Sequence, residues 1–352
     1  MTRNEKSVLT GKTKGELAEF FESIGEKRFR AKQLFEWIYD RRVLNYGEML
    51  NLSKSLREKL ERETKLVTLF SRTSQFSSSA GTKKYLFVTE DNKSIEAVVI
   101  PEERRTTLCV STQVGCPLDC KFCATGLMGF SRNLSASEIV QQYLLTQIDY
   151  PEEITNIVYM GMGEPLLNYD ATLKSLRIFT AEETRGLSKN RITVSTSGIT
   201  PRIYDLADSG LRVKIALSLH SAFDDVRSEI MPVNKKYPLK SVLESLDYYA
   251  RTTKTRVTFE YTMFDGINDR EADIKALTKI IRRMPSKLNL IPFNSIAHMA
   301  PDGISAQLKS TPYDKILEFA DKLRANNITV MVRNTQGDDI AAACGQLAVK
   351  HS

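Results

Sequence analysis

From residue 135 onward the apolar pattern of the chain switches regularly between two periods. Runs rich in Val, Ile, Leu and aromatic residues at 154–160, 191–195, 213–219, 256–263, 287–292 and 328–332 read as strands. Segments of helical period at 135–149, 169–184, 200–209, 239–251, 270–283 and 312–326 alternate with them. This rhythm predicts a parallel α/β sheet or barrel, and about six repeats make it a partial barrel. In such folds the chemistry sits at the C-terminal ends of the strands, which here means the loops after Thr112, Met160, Val194, Leu219, Met263 and Ile291.

Upstream, Leu17, Phe20, Phe21 and Ile24 recur at helical spacing, as do Ala31, Leu34, Phe35 and Ile38, and a third helix is expected over 53–62. Residues 1–65 therefore read as a small helical domain. It carries Lys27, Arg28, Arg30, Lys32, Arg41 and Arg42, which would suit a polyanion, with an ordinary solvated face as the alternative. Residues 66–106 read as an extension and linker: a Ser-rich loop over 71–82, then strands 85–89 and 95–100 joined at the Asp91-Asn92 turn. A strand at 107–111 opens the barrel domain, 107–352.

The net charge of +7 favours a polyanionic partner without naming one. No apolar stretch is long enough to span a bilayer, and the start, Met1-Thr-Arg-Asn-Glu-Lys, lacks the apolar core of a signal peptide, so no membrane role and a cytoplasmic location are expected. Five cysteines, an odd number with three inside residues 116–123, do not form a disulfide framework. In a reducing compartment such a cluster binds metal or does chemistry.

Gly115-Cys116-Pro-Leu-Asp-Cys120-Lys-Phe-Cys123-Ala-Thr-Gly126 sets three thiols in the loop after a predicted strand. Thiolates are the usual ligands of iron–sulfur clusters, and a cubane with three protein ligands leaves one iron open to a cofactor atom. A closed zinc site is the alternative; it would need a fourth ligand from His220, His298, His351 or the two remaining cysteines. The spacing resembles that of the radical S-adenosylmethionine (SAM) superfamily. In those enzymes SAM chelates the open iron and is cleaved to a 5'-deoxyadenosyl radical. A strand ending in a glycine turn contacts SAM there, and Gly161-Met-Gly163-Glu164-Pro165 follows the same plan, with Glu164 able to accept from an ammonium.

Near the C-terminus, Cys344 stands between Ala343 and Gly345 after the last predicted strand, more reachable than a cysteine in a helix core; a small buried residue is the alternative. Taken together, Cys116 to Gly126, Gly161 to Asn168, Val194 to Gly198, Ser218-Leu-His220, Ile291-Pro-Phe-Asn294 and Ala343-Cys-Gly-Gln-Leu347 resemble the RlmN family. The segments Phe29-Arg-Ala-Lys-Gln-Leu and Asn51-Leu-Ser-Lys extend the likeness over nearly the whole chain. The family comprises adenosine carbon-2 methyltransferases of 23S ribosomal RNA and of transfer RNA. The chain departs from the family pattern at Gln336, where arginine often stands, and at Ala341, where an acid often stands.

The resemblance implies that Cys116, Cys120 and Cys123 hold a 4Fe-4S cluster, that Cys344 carries the methyl group and that Cys109 resolves the covalent intermediate. It places Gly163, Glu164, Ser195, Ser218, Leu219, His220 and Asn294 on SAM and makes Glu96, otherwise a solvent-facing strand residue, a proton acceptor. Carbon 2 of adenine is electron-poor, so an electrophilic methyl has nothing there to attack. The implied route consumes two SAM molecules per turnover: one methylates Cys344, the other supplies a radical that activates the S-methyl group for addition to carbon 2. Loss of the carbon-2 proton, to Glu96 or Cys109, and a Cys109–Cys344 disulfide would free the base. A cellular electron donor and a thiol reductant are then required partners. Rival readings are a Cfr-type carbon-8 methyltransferase, a radical enzyme that does not methylate, and an iron–sulfur or zinc RNA-binding module.

Overall fold

The computed structural model describes residues 6–78, 81–182, 187–334 and 336–348. A ten-stranded sheet organises them: β1 (Leu69–Phe76), β2 (Lys83–Thr89), β3 (Ser94–Glu102), β4 (Arg105–Cys109), β5 (Asn156–Tyr159), β6 (Ile192–Thr196), β7 (Lys214–Ser218), β8 (Val257–Met263), β9 (Ser286–Pro292) and β10 (Val330–Val332). The strands lie side by side in chain order. The first four pair antiparallel, and β4 to β10 pair parallel. Six crossovers join the parallel strands through helices Ala136–Asp149, Tyr169–Phe179, Thr200–Asp208, Leu239–Thr253, Glu271–Ile281 and Tyr313–Ala325. The α/β architecture expected from the alternation is present.

Strand β8 shows how this sheet divides apolar from polar. All seven of its residues are buried. Val257, Phe259, Tyr261 and Met263 alternate with Thr258, Glu260 and Thr262, so they face opposite sides. Tyr261 stacks on Phe319 of the helix Tyr313–Ala325, which marks the helix-covered face, while Thr258 and Glu260 line an internal cavity. This strand thus turns polar side chains to the barrel interior.

Before the sheet come α1 (Lys14–Ser23), α2 (Phe29–Phe35) and α3 (Lys54–Glu63). Thr13 and Glu16 form a reciprocal capping box on α1, and Ser53 accepts the Leu56 N–H to cap α3. Short parallel pairing of Ser7–Val8 with Thr64–Lys65 closes this unit. Buried Gln141 joins it to the barrel: its carbonyl accepts the Thr68 and Leu69 N–H groups at 2.9 and 3.1 Å, and its amide donates to Thr10 and Ser137.

One segment departs from expectation. The stretch read as a loop from residue 71 is largely strand β1, paired with β2 along its length. Seven of its eight residues are exposed, so backbone pairing forms it and no alternating apolar pattern announces it. Ser79 and Ala80 of that predicted loop lie outside the described residues, as do the opening residues Met1–Glu5 and residues 183–184 of the helix expected to end at 184. Helices Asp224–Ile230 and Gly303–Gln307 were not expected.

Candidate active site

After β4 the chain enters a small ladder, Gln113–Gly115 against Phe130–Asn133, that brackets the cysteine loop. Gly115 has φ +75°, and a Cβ there would lie 1.9 Å from the Gly129 carbonyl, so only glycine closes the bracket. The Lys121 N–H donates to the Ile230 carbonyl at 2.9 Å, pinning the loop to the helix Asp224–Ile230. Cys116, Cys120 and Cys123 line one cavity of about 150 Å³ together with Gly163, Glu164, Ser195, Ser218, His220, Asn294 and Cys344. Burial pushes the Cys116 thiol up to about 12 and the Cys120 and Cys123 thiols up as well; the Cys123 charge adds to the rise at Cys116 and Cys120, and the Cys344 charge to that at Cys123. Such thiols stay protonated until a metal replaces the protons. Three thiolates from one loop leave one iron of a cubane open, whereas a closed zinc site takes four ligands.

The glycine turn after β5 fits against the strand leading to the cysteine loop. The Gly161 N–H donates to the Val110 carbonyl at 3.1 Å, and Gly163, at φ +96°, would place a Cβ 2.5 Å from Gln113 Cβ. Glu164 is buried: one carboxylate oxygen accepts the Ser197 N–H at 2.7 Å and the other the Leu166 N–H at 3.0 Å. Burial raises its pKa, and those N–H groups partly offset the rise.

His220 is buried in the left-handed region at φ +53°. Its Nδ1 accepts the Thr262 N–H at 2.9 Å, which leaves the proton on Nε2. Burial, helped by the Arg227 charge, lowers its pKa to about 3, so the ring is neutral at physiological pH. Phe122 meets it edge-on at 4.6 Å. Arg227 itself was missed by the sequence reading because it lies on the unexpected helix. Its buried guanidinium donates to the Ser197, Ser218 and Leu219 carbonyls and to Asn234, tying together the ends of β6 and β7. Leu219 is not brought to the cavity wall: its N–H is bonded to the Glu260 carbonyl and its own carbonyl to Arg227, so it sits behind His220.

After β10 the chain turns back as a strap, residues 333–348 with Thr335 outside the described set. The Asp339 carboxylate accepts from the Ser77 hydroxyl at 2.7 Å and the Ala341 carbonyl from Lys84 at 3.4 Å, which fastens the strap to the antiparallel extension. Farther on, the Gly345 carbonyl accepts the Ala124 N–H at 2.7 Å and the Leu347 carbonyl the Thr125 hydroxyl at 2.6 Å, which fastens it to the cysteine loop. Cys344 is exposed on this strap and also lines a second cavity of about 380 Å³, shared with Cys109, Cys123, Glu260, Asn289, Arg333 and Gln336. Burial, with the charge of Cys344, pushes the Cys109 thiol up to about 12.

Glu96 lies on β3. Val98 pairs with Cys109, and alternation puts Glu96 on the same face as both. It is buried, 3.1 Å from the Lys84 ammonium, which corrects its reading as a solvent-facing residue: Lys84 and the end of the strap cover that face. Burial raises its pKa against the Lys84 charge, and it lines neither cavity.

The sequence profile of the N-terminal domain of ribosomal RNA large subunit methyltransferases matches residues 8–66, and that of the radical SAM superfamily matches residues 110–277. The dual-specificity RNA methyltransferase RlmN of Halorhodospira halophila is 44% identical over 341 residues, covering 96% of this chain and 92% of its own length. A probable dual-specificity RNA methyltransferase RlmN of Dictyoglomus turgidum is 43% identical over 339 residues, 94% of each chain. The crystal structure of a radical SAM methyltransferase from Sphaerobacter thermophilus superposes with a TM-score of 0.90 at 40% identity, covering 97% of this chain and 99% of that one. Among the described residues no helix is long and apolar enough to cross a membrane. Membership of the superfamily implies an iron–sulfur cluster and SAM, which the donor set after β4 fits. With likeness of this extent across both matched segments, the chain belongs to the RlmN family of radical SAM methyltransferases.

Proposed function

We propose that this protein methylates carbon 2 of an adenosine in 23S ribosomal RNA and of an adenosine in transfer RNA, with Cys344 carrying the methyl group. One observation carries this reading: Cys344 stands on the wall common to the cavity of the three-cysteine loop and the cavity of Cys109. A methyl carrier must face both its donor and its acceptor.

Cys116, Cys120 and Cys123 would hold a 4Fe-4S cluster, which with SAM supplies the 5'-deoxyadenosyl radical. Two SAM molecules serve each turnover, one as methyl donor to Cys344 and one as radical source. Gly163, Glu164, Ser195, Ser218 and Asn294 border the place SAM would take. His220 presents a neutral ring there, with Leu219 behind it. Cys109, whose burial keeps it protonated until then, would lose its thiol proton and bond to the Cys344 sulfur as the sulfur–carbon bond to the base breaks, the freed carbon taking up a proton to become the methyl group and one electron being given up. The carbon-2 proton goes to Cys109, which lines the second cavity, or to Glu96, which lies beside Lys84 on the same face of the sheet. A cellular electron donor and a thiol reductant complete the cycle in the cytoplasm.

The target base has to leave its stack, at a cost of roughly a few kcal/mol. Contacts of residues 1–65 with the RNA backbone would offset it. Lys27, Arg28, Lys32 and Arg41 are exposed there, and the Arg30 guanidinium lies 4.7 Å from the ring of exposed Phe29. The test is anaerobic reconstitution with iron and sulfide, then reaction with reductant, SAM and unmodified RNA, and mass spectrometry of the nucleosides. 2-Methyladenosine is expected. 8-Methyladenosine would move the protein to the Cfr type, and 5'-deoxyadenosine without methylated RNA would remove the RNA substrate.

A further inference from the structure

The second cavity contains acceptors that the protein does not satisfy. Glu260 Oε2, Asn289 Oδ1 and Gln336 Oε1 are buried and have no hydrogen-bond partner among the described residues, and all three side chains line this cavity. Glu260 and Asn289 are only 5% and 8% exposed, so bulk water does not serve them. Buried acceptors without donors are rare in folded chains, and three in one wall point to a ligand that brings N–H groups.

The orientation of the pair is fixed. Glu260 and Asn289 are register partners on β8 and β9. Asn289 Nδ2 donates to Glu260 Oε1 at 2.9 Å; burial raises the Glu260 pKa against the Arg333 charge, and in its ionised form the carboxylate only accepts, so the amide cannot turn over without losing that bond. Asn289 therefore presents Oδ1 and Glu260 presents Oε2, two acceptors side by side. Arg333, which only donates, has its guanidinium 4.0 Å from Glu260 Oε2. It also feels the charge of Cys344. The wall thus sets a donor beside two acceptors.

We propose that Asn289 and Glu260 receive the two N–H bonds of the 6-amino group of the target adenine, with Arg333 facing ring nitrogen 1. This rests on the reading of the substrate as an RNA adenosine. In adenine, nitrogen 1 lies between carbon 2 and the carbon that bears the amino group, so the base presents an acceptor beside two donors, which this wall complements. Guanine or hypoxanthine would bring an oxygen to two acceptors and an N–H to an arginine, a mismatch at each position. Asn289 and Glu260 are in this way specificity-determining residues, and they act apart from the cysteines that do the chemistry.

The experiment uses the reconstituted enzyme and RNA carrying adenosine, purine riboside (which lacks the 6-amino group) or inosine at the target position. Methylated nucleoside formation is followed by mass spectrometry. Wild type should prefer adenosine over purine riboside by at least about 10-fold in kcat/KM and reject inosine more strongly. Glu260→Gln, which turns one acceptor into a donor, and Asn289→Leu should each bring the adenosine-to-purine ratio toward one. Equal rates on adenosine and purine riboside in wild type would overturn this inference alone, whatever the variants do. An unchanged ratio in either variant that still methylates RNA would also overturn it. Formation of no methylated adenosine by wild type would instead remove the proposed function, and this inference with it.

Discussion

Asn294 Nδ2 donates to the backbone carbonyl of Cys344 at 3.1 Å, so the loop leaving β9 holds the residue proposed to carry the methyl group. The bond does not involve the thiol, and its effect is on where the thiol stands. A neutral hydrogen bond contributes about 1 kcal/mol, so Asn294→Ala should slow methylation of Cys344 by roughly 5-fold or more, read from a time course of intact mass after SAM addition. A rate equal to wild type would show that the strap needs no support from this side.

Gly345 follows Cys344 at φ +84°, and a Cβ there would lie 3.3 Å from the Phe122 carbonyl. Gly345→Ala should cost roughly 1–2 kcal/mol through left-handed strain and push the strap off the cysteine loop. Thermal unfolding and Cys344 methylation should both decline.

Cys109→Ala leaves the proposed protein–RNA adduct with no thiol to resolve it. Crosslinked RNA should accumulate and migrate with the protein on a denaturing gel while turnover stops. Normal turnover without a crosslink would remove Cys109 from the scheme.

The buried, neutral His220 predicts an acid-sensitive stability. Its pKa is about 3 in the folded state and near 6.5 when the chain is unfolded, so between those values the unfolded state holds more protons. Stability from this group is therefore present above pH 6.5 and is lost as the pH falls, by roughly 3 kcal/mol on reaching pH 4. His220→Asn tolerates the left-handed backbone and should flatten that slope in denaturant titrations at pH 7, 5.5 and 4. An equal slope would place the acid sensitivity elsewhere.

If residues 1–65 grip RNA through its phosphates, Lys27→Ala combined with Arg41→Ala should weaken binding for all sequences alike. The slope of log affinity against log salt should fall by about 1–2. Unchanged slope would mean that these exposed cations are only a solvated face.

The barrel was legible in the chain because its strands and helices carry two distinct apolar periods, and β8 and the helix Leu239–Thr253 appear within two residues of where the pattern puts them. Strand β1 was not, since an exposed edge made by backbone pairing has no side-chain signature. In the site, the cysteine loop and the glycine turn announce themselves through local spacing. Arg227, Glu260 and Asn289 do not: each is an ordinary polar residue in its own segment and gains its role from neighbours brought close by the fold. Glu96 is singled out only by the family likeness, since a carboxylate on a strand looks solvated until Lys84 and the strap are seen to cover it.

The strap that carries Cys344 is fastened at Ser77, Lys84, Ala124, Thr125 and Asn294. A group carrier tethered at so many points cannot travel as the long flexible arms of acyl and biotinyl carriers do. If it bears the methyl group, everything else has to come to it, the methyl donor first and the base after. The tempo of such a cycle belongs to exchange of a small molecule beside a stationary sulfur, and the protein keeps the order of events by holding still.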